Sequence, residues 1–224
     1  MLKPVRSTTP CFYCGVYRAT RSRVMPAWLD DCFPNERAIE GRRAISCKSC
    51  RQGWMERLEQ FARPLLSHMI AGQPVVLGQQ NQEMLALWAT KTMLSLQTVR
   101  DPELLPVDAY RQLAITLQPP TGFRVAVAMR PHEGKWPYRF QALGSAMTLR
   151  GWDVEPTFPD TWVDHYRAEL CIGHLVIRAG ANFTPHAPLF EAGNTTMNIW
   201  PVQSPERWPP ARGIVRARQL RVAA

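Results

Sequence analysis

Apolar residues fall on one helical stripe from Trp54 onward: Trp54, Met55, Leu58, Phe61, Ala62, Leu65, Leu66, Met69 and Ile70. Steps of three and four place such positions on one side of a 3.6-residue turn, which predicts an amphipathic helix packed through that side. Pro64 removes a backbone donor and crowds the preceding turn, so it is expected to bend or divide this helix. Residues 82–99, QEMLALWATKTMLSLQTV, are apolar on more than one face, as a buried helix should be, with Asn81 as its cap. PVDAYRQLAITLQPP predicts a third helix, stopped by Pro119-Pro120.

Beyond it the period changes from helical to alternating. TGFRVAVAMRP reads as a strand with Val125 and Val127 on one face, and YRFQALGSAMTL, ELCIGHLVIRA and TTMNIWPV read as further strands. Gly and Pro clusters divide them, and APLFEAGN and GANFTPHAP read as loops. Helices followed by strands predict an α+β fold with a C-terminal antiparallel sheet rather than a doubly wound one. At 224 residues, one domain plus a small appended module is the natural expectation. Twenty prolines predict a loop-rich second half. No repeat, Walker loop, GxGxxG or Ser/His/Asp spacing is visible. MLKPVRSTTPC lacks the apolar segment of a signal peptide and no long apolar run follows, so the expected compartment is a reducing cytoplasm with no membrane partner.

In such a compartment, cysteines two residues apart read as metal ligands rather than disulfides. Cys11-x-x-Cys14 and Cys47-x-x-Cys50 offer four thiolates, a set that closes a tetrahedral zinc site and leaves no position for a reacting water. The expected zinc is therefore structural. Gly15 suits the left-handed turn of the first knuckle, and the interval from Cys14 to Cys47 has room for a hairpin and a long loop. Cys32 and Cys171 are unpaired by spacing, and Cys32 reads as a buried thiol rather than a fifth ligand. A knuckle, a hairpin and a second CxxC opening the Trp54 helix describe a treble clef. The expected division is a zinc module over 1–60 leading into a helical segment plus antiparallel sheet over 61–224.

Charge concentrates in the same module. The chain carries a net +9, which favours polyanionic partners, nucleic acid first. Residues 1–53 hold ten basic and four acidic side chains, a surplus of six. Lys48 and Arg51 offset part of the negative charge of a four-thiolate zinc centre, while Arg18, Arg21, Arg23, Arg42 and Arg43 form a candidate phosphate-gripping face. Tyr13, Tyr17 and Trp28 are interleaved and can stack on bases, though Trp28 suits the core better. Arg207, Arg212, Arg216, Arg218 and Arg221 near the C-terminus read equally as a second backbone contact or a solvated end.

The stretches CFYCG, TRSRVMPAWL, CKSCRQGWMERLEQFARPLL and LALWATKTMLSLQ together resemble a group of bacterial and phage proteins carrying an HNH-type treble clef. The cysteines and the Gly-Trp-Met-x-x-Leu-Glu run carry that resemblance, and the closing NIWPVQSPERWPP adds to it. It implies a ββα scaffold on which a histidine base, a neighbouring carboxylate and an asparagine would cut DNA with a divalent ion. This chain departs at those positions. Ser22 stands where the carboxylate belongs, Arg23 where the histidine belongs, and Arg51-Gln52 where two asparagines belong. Arginine accepts no proton at neutral pH and repels a catalytic cation. His68 lies 18 residues past Cys50, roughly 27 Å along an unbroken helix, and is a poor substitute. His132, His165, His174 and His186 fall in the other half.

No catalytic residue is therefore expected. The expected function is a zinc-stabilised protein binding nucleic acid, duplex DNA foremost, on a non-catalytic HNH scaffold. It can work as a subunit of a phage, defence or CRISPR-type nucleoprotein complex with further protein partners. The binding set is Arg18, Arg21, Arg23, Arg42, Arg43, Lys48 and Arg51. An active HNH-type endonuclease and a protein-binding inhibitor of a nuclease stand as alternatives.

Overall fold

The computed structural model of the chain describes residues 10–17, 19–33, 43–100, 104–131, 138–147, 162–182 and 196–209. Of the expectations above, Arg18, Arg42, His132, His186, the loop residues 183–195 and the basic segment from Arg212 onward lie outside them.

The first knuckle closes on itself. Cys11 N–H donates to the Val16 carbonyl (3.0 Å) and Gly15 N–H to the Cys11 carbonyl (2.8 Å). Gly15 sits at φ +73°, a conformation a side chain would strain. Strand β1 (Thr20–Arg23) then pairs antiparallel with β2 (Arg43–Ser46). Between them a 3₁₀ turn, Ala27–Cys32, buries Leu29. The interval between the cysteine pairs thus holds a hairpin, as its length allowed.

The second knuckle opens directly into helix. Cys47 accepts the Cys50 N–H on its sulfur (3.4 Å) ahead of a one-turn helix, α1 (Lys48–Cys50). A π-type turn, Arg51–Met55, follows, kinked at Gly53 (φ −88°, ψ −110°). Helix α2 (Glu56–Ile70) runs through Pro64 without being divided. The break expected at Pro64 falls instead at Gly53. Pro64 and Gln60 both face water, so the missing N–H leaves no buried carbonyl without a donor. The helix packs through Leu58, Ala62, Leu66 and Met69, a row of fours and threes, whereas Phe61, expected on the buried stripe, is 71% exposed.

Helix α3 (Gln79–Arg100) is the spine of the molecule. Every residue from Trp88 to Gln97 is buried, because α3 meets β2 and α2 on one side and β4, β7 and β8 on the other. It begins before Asn81, whose side chain donates back to the Val76 carbonyl (3.1 Å) rather than capping the first turn. Helix α4 (Val107–Thr116) ends with Leu117 in the left-handed conformation.

Strands β4 (Phe123–Met129), β5 (Tyr138–Met147), β6 (Trp162–Ile172), β7 (Leu175–Asn182) and β8 (Met197–Trp200) form an antiparallel sheet ordered β5-β6-β7-β4-β8. ELCIGHLVIRA, read as one strand, is two, joined at Gly173-His174. Gly173 has φ +53°, and a Cβ there would lie 2.6 Å from the Ile70 carbonyl oxygen, so the turn packs on the end of α2. Val125 and Val127 do share the face that joins the main core. Ala128, Cys171 and Val176 form a smaller cluster of their own, which makes β4 buried on both faces.

One pairing was not anticipated. Strand β3 (Val75–Leu77) pairs with β9 (Glu206–Trp208), bringing the chain's end back to the start of α3. Gln82, almost wholly buried, holds this return: its amide nitrogen donates to the Leu77 (2.8 Å), Gln203 (3.2 Å) and Ser204 (3.2 Å) carbonyls, and its oxygen accepts the Gln203 N–H (2.8 Å). The main apolar core runs from Cys11 to Trp208, and residue 60 lies inside α2. The fold is thus mixed helix and sheet, with the cysteines near its N-terminal end and antiparallel strands toward its C-terminus.

Candidate metal centre and adjoining cleft

The sulfurs of Cys11, Cys14, Cys47 and Cys50 all lie within 4.8 Å of one another. The Cys14–Cys47 separation is 3.5 Å and the Cys11–Cys50 separation 4.0 Å. A tetrahedron with metal–thiolate bonds of about 2.3 Å has edges of about 3.8 Å, so a cluster this close is compatible with one ion held by all four sulfurs. Cys11, Cys47 and Cys50 are buried and Cys14 is exposed. Burial pushes the Cys50 thiol well above the ordinary range and raises Cys14 as well. Burial opposes ionisation of Cys47 too, but the Cys50 N–H and the neighbouring thiols outweigh it and bring its pKa down. Cys32, raised chiefly by burial, stands apart from the cluster beside the Trp28 carbonyl.

Tyr13 fastens the knuckle to the spine. Its hydroxyl lies 2.6 Å from Ser95 Oγ and donates toward the Lys91 carbonyl (3.3 Å). Its ring meets Trp54 and Tyr110 edge-on, with centroids 5.6 and 5.9 Å away. Burial pushes the phenol far above its usual pKa. Tyr13 is therefore a core residue and offers no face to a base. Trp28 too is tied inward, its indole donating to Glu59 (3.3 Å), while Tyr17 stays exposed.

Beside the cysteines, between the hairpin and the helix, lies a cleft of about 410 Å³. Ser22, Arg23, Ala44 and Ser46 come to it from the hairpin, Arg51, Gln52, Met55, Glu56 and Glu59 from the π turn and α2, and Lys91 and Ser95 from α3. The four positions singled out by the sequence, Ser22, Arg23, Arg51 and Gln52, thus line one space. None of the residues lining it is a histidine. His68 lies on the exposed face of α2 with its Nδ1 on the Pro64 carbonyl (2.8 Å), and His174 is bound to the Arg130 carbonyl (3.0 Å).

The cations differ in their state. Arg23 is held by Asp30 through two parallel bonds of 2.9 and 2.7 Å, a fork that uses both terminal nitrogens. Arg51 donates to the Thr20 hydroxyl (3.2 Å) and makes no ion pair among the described residues. Arg21, Arg43 and Lys48 are exposed, with Arg43 directly opposite Arg23 in the hairpin.

The cleft's floor was missed from the sequence. Lys91, 4% exposed, is ion-paired with Glu59, which also accepts the Trp88 indole N–H at 2.8 Å. Ser22 and Ser46 hydroxyls meet at 2.9 Å beside it. A signal for Lys91 existed: it is the one charged residue between Glu83 and Arg100, in a helix otherwise suited to burial all round. Glu59 closes the Gly-Trp-Met-x-x-Leu-Glu run, but nothing in that run marks its carboxylate as the partner of Lys91.

Comparison of the chain with known protein families, curated proteins and solved structures returns no match. Among the described residues no helix is long and apolar enough to cross a membrane.

Proposed function

We propose that this chain is a zinc-stabilised nucleic-acid-binding protein, with duplex DNA as its first ligand, built on a non-catalytic HNH-like treble clef. Knuckle, hairpin and a helix opened by the second knuckle follow one another in treble-clef order. An all-thiolate set with no nitrogen or oxygen donor suits zinc in a structural role.

The observation that carries the functional reading is the convergence of Ser22, Arg23, Arg51 and Gln52 on one cleft that is lined by no histidine and, besides Glu59, by a single carboxylate, the exposed Glu56. Arg23 is locked to Asp30, and the Glu59 carboxylate already takes an ammonium and two indole donors. A hydrolytic site needs both a base within reach of water and a ligand set for a divalent ion; with Glu59 occupied, Glu56 alone does not supply the two together. What remains are Arg51 at the cleft and the exposed Arg21, Arg43 and Lys48 of the hairpin and second knuckle, donors that grip phosphate without a metal. Arg23 is a framing residue in this reading rather than a contact. A subunit role in a phage, defence or CRISPR-type assembly is compatible with it.

The test is equilibrium binding to a labelled duplex in EDTA across a salt series, after zinc content has been measured. Binding should weaken steeply with salt, and Arg51→Ala, Arg21→Ala and Arg43→Ala should each flatten the log–log slope by about one unit. Magnesium-dependent plasmid cleavage by purified protein would establish the nuclease alternative instead. A chain that binds no nucleic acid but captures a protein partner would leave the inhibitor reading.

A further inference from the structure

The cleft has features that gripping a duplex does not call for. Its volume, about 410 Å³, falls within the roughly 300–1,000 Å³ of pockets that enclose small organic ligands. A duplex, whose major groove alone is about 12 Å wide, is far too broad to enter it. Yet its floor is polar and deep: Lys91, Ser95 and Ser46 are only 4, 5 and 4% exposed, and all three line the space. A buried ion pair such as Lys91–Glu59 adds little stability over apolar side chains of similar size, so a polar floor open to a cavity is the form expected of a recognition site. The walls are of two kinds. Val24, Pro26, Ala44 and Met55 offer apolar surface to the flat face of a ring. Gln52 and Glu56 offer an amide and a carboxylate that can read donors and acceptors on its edge. Arg51, whose charge no ion pair compensates among the described residues, stands at the same cleft to take the accompanying phosphate.

We infer that the cleft receives a single unpaired nucleotide of the bound nucleic acid, its base between Pro26 and Met55 and its phosphate on Arg51. The inference rests on the nucleic-acid reading above and names what that surface selects: a bulged, mismatched or terminal nucleotide rather than continuous duplex. Such a nucleotide has already lost the pairing that a paired one must break, worth a few kcal/mol, so it enters at lower cost.

The experiment measures affinity by fluorescence anisotropy for three labelled ligands: a perfect duplex, the same duplex with one unpaired 2-aminopurine, and a free fluorescent mononucleotide. The full chain should bind the bulged duplex at least about tenfold more tightly than the perfect one, and 2-aminopurine emission should rise as the base leaves the stack. Tight binding of the free mononucleotide would show that the unit alone suffices, and its absence would place the remaining affinity in the flanking duplex; either result keeps the inference if the bulge is preferred. Ala44→Leu, which fills the cavity, should abolish the preference while leaving most of the affinity for the perfect duplex, to which the exposed Arg21, Arg43 and Lys48 contribute outside the cleft. Gln52→Ala, an exposed substitution that leaves the fold unstressed, should reduce it as well. Equal affinity of the wild-type chain for bulged and perfect duplex overturns the inference alone. No affinity for any of the three overturns the nucleic-acid reading with it.

Discussion

The β1–β2 hairpin and the β4–β7 pair are both antiparallel ribbons, yet different forces hold them. In β4–β7, Val125, Val127, Val176, Ile177 and Ala179 are all fully buried, so burial of apolar area holds the strands at about 25 cal/mol per Å². The hairpin has four residues per strand, and of its eight only Ala44 and Ser46 are buried. A ribbon that short is marginal by itself. It is held instead from its ends by four sulfurs, from below by Tyr13 on Ser95, and at its turn by the Arg23–Asp30 fork. The difference explains why the hairpin can spend its side chains on charge. An element clamped at its ends in this way need not be apolar, and Arg21 and Arg43 stay exposed on it.

Removing the metal should break this comparison most sharply. A structural zinc contributes on the order of 10 kcal/mol or more to the fold that binds it. Cys47→Ser, or chelation of the native chain, should therefore abolish amide protection across 10–17 and 43–50 while β4 and β7 keep much of theirs. Exchange rates in the hairpin that survive complete chelation would show that the sulfurs are not its anchor. Acid should have the same effect as the chelator. Each thiol must release a proton to bind the ion, and burial raises Cys50 and Cys14 above the ordinary thiol; affinity must then fall as pH falls, and zinc released on acidification, followed with a colorimetric chelator, should track loss of the hairpin.

The next largest effect lies between the two regions. Glu59→Gln leaves the Lys91 ammonium buried without its carboxylate and should destabilise by about 3–5 kcal/mol, read from urea unfolding. Adding Lys91→Met should recover most of that loss; if the double variant is no better than the single one, the Glu59 indole contacts, not the charge, are what matters. In the sheet, Gly173→Ala combines a left-handed φ with a Cβ 2.6 Å from the Ile70 carbonyl oxygen and should lower stability by about 1–3 kcal/mol without altering zinc content. Smallest is Asp30→Asn. The Arg23 fork is partly exposed and worth no more than about 1 kcal/mol, so stability should hardly change, but duplex affinity should rise a few-fold as a carboxylate charge that competes with phosphate is removed. An unchanged affinity would place the Arg23–Asp30 pair outside the interface.

The cysteine cluster was legible because spacing is a local property: two residues between thiols set a knuckle, and the two knuckles bring their four sulfurs together. The helices over α2, α3 and α4 and the strand at β4 were legible for a similar reason, since period alone distinguishes 3.6 from 2. The misreadings came where a local rule met a tertiary partner. Pro64 lies on the solvent face, where its missing N–H harms nothing, so the helix passes through it. Phe61 fits the stripe by count, but the face that folding buries runs along Leu58, Ala62, Leu66 and Met69 and leaves Phe61 in solvent. The turn at Gly173 was hidden inside an apolar run because its signal is contact with the end of α2, a hundred residues earlier.

By itself, then, the sequence determined the four-cysteine set, the order of helices before strands, and that Ser22, Arg23, Arg51 and Gln52 offer neither imidazole nor carboxylate, because each depends on residue type and near neighbours. Only the tertiary structure decided that Arg23 is bound by Asp30 while Arg51 is not, that Tyr13 is a fastener rather than a stacking surface, and that Lys91 and Glu59 make a polar floor beside the hairpin. Those outcomes depend on which side chains arrive from distant helices. Charge at a single position is fixed by the code, but its availability is fixed by the neighbour that folding delivers.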